Sequence, residues 1–222
     1  MRFGAIGVAA VLAACIGTAQ AQTVDDSKRG DAKAITERET MLRTGITAAQ
    51  KGNCDVAQKA LRPALADPNT NGLPHALLLD AYQGTAACAY NDGDMDGAYD
   101  VVMRATGKVF DSFMLWTIRL AIESERKLDD ETVTTIEAMA QRSPRALNAT
   151  RQRWLYYFER TLKDNKKDAL RLRLLKVMTS AAYEPSEALA SRDGFMQKYA
   201  EILVAEGDKT SAAALVRQIV EP

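Results

Sequence analysis

The sequence predicts an all-α chain, an α-solenoid of about five antiparallel helical hairpins spread over 222 residues. Three observations carry that expectation. Apolar residues recur at steps of three and four, and strict alternation is absent throughout. Short polar turns interrupt the apolar stripes at Lys51-Gly52-Asn53, Asn91 to Asp94, Lys127 to Asp130, Lys163 to Lys166 and Glu206 to Lys209. The stripe-turn-stripe unit recurs every 35–42 residues, roughly, and such a period marks a repeat architecture. With 47% hydrophobic and 26% charged residues the chain can build a packed core. Few aromatics and many alanines and leucines favour helix over strand.

The N-terminus reads as a leader. Arg2 precedes an apolar stretch from Phe3 to Gly17, and Ala19-Gln20-Ala21 forms a small-x-small cleavage site. A signal peptide over residues 1–21 would leave Gln22 as the mature start. Leu12-Ala13-Ala14-Cys15 offers a second outcome, because it resembles a bacterial lipoprotein box in which Cys15 is acylated. Either outcome places the protein outside the cytoplasm, periplasmic if cleaved after Ala21 and attached to the outer membrane if lipidated. Loss of Arg2 turns an even balance of 29 cationic and 29 acidic residues into a net charge near −1, which speaks against a nucleic-acid partner.

The elements follow in order. Residues 22–35 are polar and read as a flexible lead-in, and residues 36–222 as one helical repeat domain. Thr36-x-x-Glu39 has the spacing of a capping box. Met41, Leu42, Ile46 and Ala49 then share a stripe. Val56, Ala57, Ala60, Leu61, Ala64 and Leu65 mark a second helix with Pro63 inside it, stopped by Asp67-Pro68-Asn69. The same pattern predicts helices over 77–90 and 98–105, over 113–123 and 133–140, over 154–162 and 169–177, and over 195–204 and 212–219. Ser143-Pro144 reads as an N-cap followed by proline at the first helical position.

Small residues recur at matched positions of these hairpins: Gly45 with Ala57, Ala86 with Ala98, and Ala200 with Ala212. Turn glycines stand at 52, 93 and 207. Tyr82 takes an aromatic position, and Trp116 and Pro144 are 28 residues apart. Thr132 replaces alanine in the third hairpin. In the fourth, Trp154 and Asn165 set a register that puts Leu170 at the alanine position. The pattern resembles the tetratricopeptide repeat in a degenerate form. The resemblance implies a TPR-like superhelix with a partner groove lined by the first helix of each hairpin. In this register those residues are Gln83, Tyr90, Asn91, Thr117, Glu125, Gln152, Glu159, Lys163, Gln197 and Glu201.

Four further features bear on chemistry. Asp92, Asp94, Asp96 and Asp100 have the spacing of calcium ligands around Gly97, but Met103 stands where a bidentate glutamate would be needed. Read as a turn, the same segment supplies Gly93 for the bend and an aspartate to cap the next helix. Cys54 and Cys88 form an even pair suited to a disulfide in an oxidising compartment, the alternative being two buried thiols. Residues 151–178 hold nine Lys or Arg against three acids; the stretch is either a solvated face or a docking surface for an acidic segment centred on Arg171, Arg173 and Lys176. Nucleophile, phosphate-loop and zinc motifs are absent, and the lone His75 is a poor base for catalysis.

The sequence therefore predicts a non-enzymatic, cofactor-free scaffold or adaptor of the bacterial cell envelope that binds another envelope protein. The alternatives are an outer-membrane lipoprotein of an assembly, secretion or polysaccharide-export machine, touching the membrane only through Cys15, and a calcium-binding helical module.

Overall fold

A computed structural model describes residues 32–66, 72–109, 111–184 and 190–220. The leader, Cys15, most of the lead-in and the stop at Asp67-Pro68-Asn69 lie outside them. All regular structure among the described residues is helical: α1 (32–50), α2 (Cys54–Ala66), α3 (His75–Asn91), α4 (Met95–Lys108), α5 (Phe113–Glu125), α6 (Asp129–Arg142), α7 (Pro144–Ala149), α8 (Gln152–Asp164), α9 (Asp168–Met178), α10 (Ala190–Ala205) and α11 (Lys209–Val220). The chain divides into two compact units, Met1–Ala81 and Tyr82–Pro222, with the division falling inside α3.

Five hairpins share one turn. At each, a backbone N–H reaches back five residues: Asn53 to Ala48, Asp94 to Ala89, Leu128 to Glu123, Lys167 to Leu162 and Asp208 to Leu203, with N···O distances of 2.8–2.9 Å. This bond closes a Schellman turn and satisfies a carbonyl that the helix end leaves open. The preceding residue must be left-handed. Gly52, Gly93 and Gly207 adopt it at φ of +73°, +77° and +88°, while Lys127 and Lys166 adopt it at +56° despite carrying a side chain.

Counting from that turn residue aligns the hairpins. Seven positions before it and five after it stand the two residues where the helices of a hairpin approach: Gly45 and Ala57, Ala86 and Ala98, Leu120 and Thr132, Glu159 and Arg171, Ala200 and Ala212. All ten are buried. In the first hairpin the approach leaves no room for a side chain: a Cβ at Gly45 would lie 2.5 Å from Leu61 Cγ. The fourth hairpin corrects the sequence register by one residue. Its left-handed residue is Lys166 and not Asn165, so Arg171 and not Leu170 occupies the alanine position. The sequence register rested on Asn165 as the turn residue; in the structure the buried Arg171 at the alanine position is matched by Glu159 opposite.

The start of α1 differs too. Thr36 is an interior helical residue whose hydroxyl donates to Ala32 O at 2.9 Å, so Thr36-x-x-Glu39 is not the capping box and helix already covers 32–35. Ser143 and Pro144 stand at the N-cap and first helical positions of α7 as expected, but the Ser143 side chain makes no capping hydrogen bond. Pro63 lies within α2, which continues through it. In the Tyr82–Pro222 unit the main core runs from Trp116 through Ile136, Met139, Leu147, Leu155, Leu174 and Leu175 to Phe195.

Candidate functional site: the cleft between α8 and α10

The fourth and fifth hairpins place α8 and α10 on opposite walls of a cleft of about 750 Å³, with Arg171 of α9 at its base. Four of the residues expected in the groove meet here: Glu159 and Lys163 from α8, Gln197 and Glu201 from α10. The lining carries five cations, Arg153, Arg160, Lys163, Arg171 and Lys198, against the three acids Glu159, Asp164 and Glu201. That excess gives the cleft a preference for anionic groups.

Glu159 organises the base. Its side chain is 1% exposed and accepts from Arg171 Nε on one oxygen at 2.6 Å and from Lys198 Nζ on the other. Burial pushes the Glu159 carboxyl up, but the hydrogen bonds and charges of Lys198 and Arg171 outweigh burial and hold it below the usual carboxylate range. One carboxylate thus neutralises one of two cations and leaves a positive charge at the foot of the cleft.

An aromatic wall adjoins this triad. Tyr156 stacks on Phe195 at 4.2 Å between centroids, and Lys198 Nζ stands 4.8 Å from the Tyr156 ring centre. The Tyr156 phenol is pushed up by burial and by the nearby Glu159 and Asp193 charges, so it stays a neutral donor. Its hydroxyl fills the space a Cβ would need at Gly194, and glycine at that point of α10 is therefore a packing requirement. Tyr157, 71% exposed, leans over the rim.

The remaining groove residues go elsewhere. Gln83 donates from Nε2 to Ser112 Oγ at 2.7 Å, and Tyr90 packs against the Ala89, Ala98 and Ile122 cluster. Asn91 and Glu125 are exposed at the ends of α3 and α5, and Gln152 opens α8. Thr117 lines a separate apolar pocket of about 390 Å³ with Phe113, Leu120 and Trp154.

The proposed docking cations are also redistributed. Arg171 is 7% exposed and belongs to the triad. Arg173 is held by Glu137 at 2.6 Å and Asp130 at 2.6 Å, and bonds Thr134 as well. These two do not form an outward surface; only Lys176 of the three is exposed. The exposed cations that line the α8–α10 cleft are instead Arg153, Arg160 and Lys163.

The aspartate segment resolves as a turn. Asp94 caps α4 by accepting from Gly97 N at 2.9 Å. A Cβ at Gly97 would strike that carboxylate, so the glycine serves the cap. Asp96 pairs with Arg126 at 2.7 Å and Asp100 with Arg104 at 2.9 Å. Among the described residues no three His, Cys, Asp or Glu side chains converge as a metal-holding group. Cys54 and Cys88 are both disulfide-bonded.

Sequence reasoning missed one buried network. Glu123, fully buried, accepts on Oε1 from Arg119 at 2.9 Å, Thr135 at 2.8 Å and Tyr99 at 3.2 Å. Burial and the Glu123 charge push the Tyr99 phenol up. Glu123 lies four residues before its turn, where the other hairpins have Ala48, Ala89, Leu162 and Leu203. That register could have flagged it once the turns were aligned.

No protein-family profile matches the chain, and no curated protein does. A solved structure titled "MamA MSR-1 C2" is similar at a TM-score of 0.39 and 14% identity, over 83% of this chain and 95% of that one. A likeness of that size carries no functional argument, and the reading below rests on the geometry of the cleft.

Proposed function

We propose that this chain is an exported, non-catalytic scaffold of the bacterial cell envelope, and that the α8–α10 cleft binds an acidic, extended segment of a partner protein. The observation that carries this reading is the convergence of Lys163, Gln197 and Glu201 on one cleft with Arg153 and Lys198 and an exposed Tyr157. Cations select an acidic segment, Gln197 and Glu201 offer bonds to its backbone, and Tyr157 offers apolar area at low entropic cost. A rigid base held by the Glu159 triad keeps these groups in place before binding, which limits the ordering cost. The export signal read in residues 1–21 supports the envelope setting. No helix among the described residues is long and apolar enough to cross a membrane.

Fluorescence anisotropy with a short labelled peptide of alternating Glu and Ser tests the cleft. Binding should weaken as salt rises and fall about tenfold, or about 1.4 kcal/mol, in Arg153→Glu/Lys163→Glu. Equal binding of the matching Lys–Ser peptide, or an unchanged affinity in the variant, would reject the reading.

A further inference from the structure

One face of α5 carries Phe113, Thr117, Leu120 and Ala121 at helical spacing. All four line the apolar pocket of about 390 Å³, together with Thr150, Arg151 and Trp154 around the start of α8. From Phe113 to Ala121 the helix rises about 12 Å, so the pocket is a slot with a long α5 wall. Leu120 belongs to the main core, whereas Phe113 is 46% exposed. Ala121 is half-buried, and its small side chain leaves the slot its width. Trp154 stands on the α8 side. Its ring lies 5.4 Å from that of Phe158 and within 10° of parallel, and Phe158 is buried, so this wall is held in place.

The polar groups of the slot are mostly spent. Thr117 Oγ1 donates to Phe113 O at 2.9 Å, and Thr150 Oγ1 donates to Ala146 O at 3.0 Å. The side-chain groups left to bond a ligand are the Arg151 guanidinium and the Trp154 indole N–H, and both only donate. No carboxylate is among the lining residues, and Arg151 is exposed without an ion-pair partner among the described residues. A ligand that matches these walls has a long apolar body and one end that accepts hydrogen bonds and carries negative charge.

We infer that the slot between α5 and α8 binds a small anionic amphiphile, a medium-chain carboxylate whose alkyl chain lies along α5 and whose carboxylate meets Arg151. Burial of the chain supplies most of the affinity, and the guanidinium selects the head. The slot is distinct from the α8–α10 cleft: both use α8, but no described residue lines the two.

Intrinsic fluorescence reads the slot directly. The chain has two tryptophans; Trp116 is 1% exposed, and Trp154 lines the slot. Decanoate, titrated into the full chain below its micelle concentration, should give a saturable change, with calorimetry supplying the affinity. Binding should tighten about tenfold from octanoate to decanoate as two further methylenes leave water. Arg151→Gln should weaken decanoate about threefold and leave decanol unchanged, the modest factor of one exposed charge. Thr117→Phe, at an exposed helical position, fills the slot and should abolish binding while keeping the circular dichroism and melting temperature of the parent. Absence of saturable binding, or decanoate binding that survives Thr117→Phe, overturns the inference. Decanol bound as tightly as decanoate by the parent overturns the choice of a carboxylate. N-acetyltryptophanamide bound more tightly than decanoate overturns it in favour of an aromatic side chain of a protein partner. Sedimentation with phosphatidylglycerol vesicles that Thr117→Phe abolishes, without decanoate binding, overturns it in favour of a membrane lipid.

Discussion

Glu159 and Arg171 stand where the second hairpin carries Ala86 and Ala98. A buried ion pair is costly to break and cheap to replace, because removing one partner strands the other charge in a poor solvent. Glu159→Ala should therefore destabilise by about 3–5 kcal/mol in urea unfolding, while Glu159→Ala/Arg171→Ala should recover most of that loss. Equal destabilisation by the single and double variants would contradict the pairing. The same residue sets an acid limb. Its folded-state pKa lies below the ordinary 4.5, so the stabilisation is fully present above 4.5 and is lost as pH falls through the folded value. The melting temperature of the parent should drop more steeply below about pH 4.5 than that of the double variant. Gly45 poses the opposite problem. Gly45→Ala drives a Cβ into Leu61 and should cost about 1–3 kcal/mol by the same unfolding assay.

The hairpin turn is the element that sequence reasoning read best and then misread once. Gly52, Gly93 and Gly207 announced left-handed positions because glycine alone adopts them without steric cost. Lys127 and Lys166 carry no such mark, and the fourth hairpin consequently slipped by one residue and misassigned Leu170. The turns themselves show why the structure tolerates lysine there: the five-residue return bonds from Leu128 and Lys167 are as short as those at the glycine turns. Lys166→Gly should relieve the strain and raise stability by about 0.5–1 kcal/mol, and Gly207→Ala should lower it by about as much or more. No change in either variant would show that these turns do not hold the strained geometry. Helix ends fared less well than helix existence. Thr36 had capping chemistry in sequence but sits inside α1, since a threonine hydroxyl can equally turn back to the carbonyl four residues earlier.

At the scale of the molecule, helical periodicity made the all-α class legible, whereas the site was legible only in part. Of the residues read as a groove, Glu159, Lys163, Gln197 and Glu201 share one cleft, because two successive hairpins bring equivalent faces together. Arg171 and Arg173 were assigned to the surface because composition counts charge without showing which carboxylates face it; Glu159, Glu137 and Asp130 come from other helices or other turns. The disulfide state of Cys54 and Cys88 was legible from the even count. A bridge closing the 34 positions from Cys54 to Cys88 would contribute about 3–4 kcal/mol, and reduction with a thiol should lower the melting temperature without loss in a Cys54→Ser/Cys88→Ser control.

The central claim is that the α8–α10 cleft receives an acidic segment of an envelope partner. It is tested most directly by a photo-crosslinking residue placed at Gln197 in the full chain, expressed in its own host, with adducts identified by peptide mass spectrometry. The account predicts one reproducible adduct, mapped to an Asp- or Glu-rich segment of an exported protein and lost in Arg153→Glu/Lys163→Glu. An adduct that persists in that variant, or one that maps to a basic or cytoplasmic segment, would contradict it.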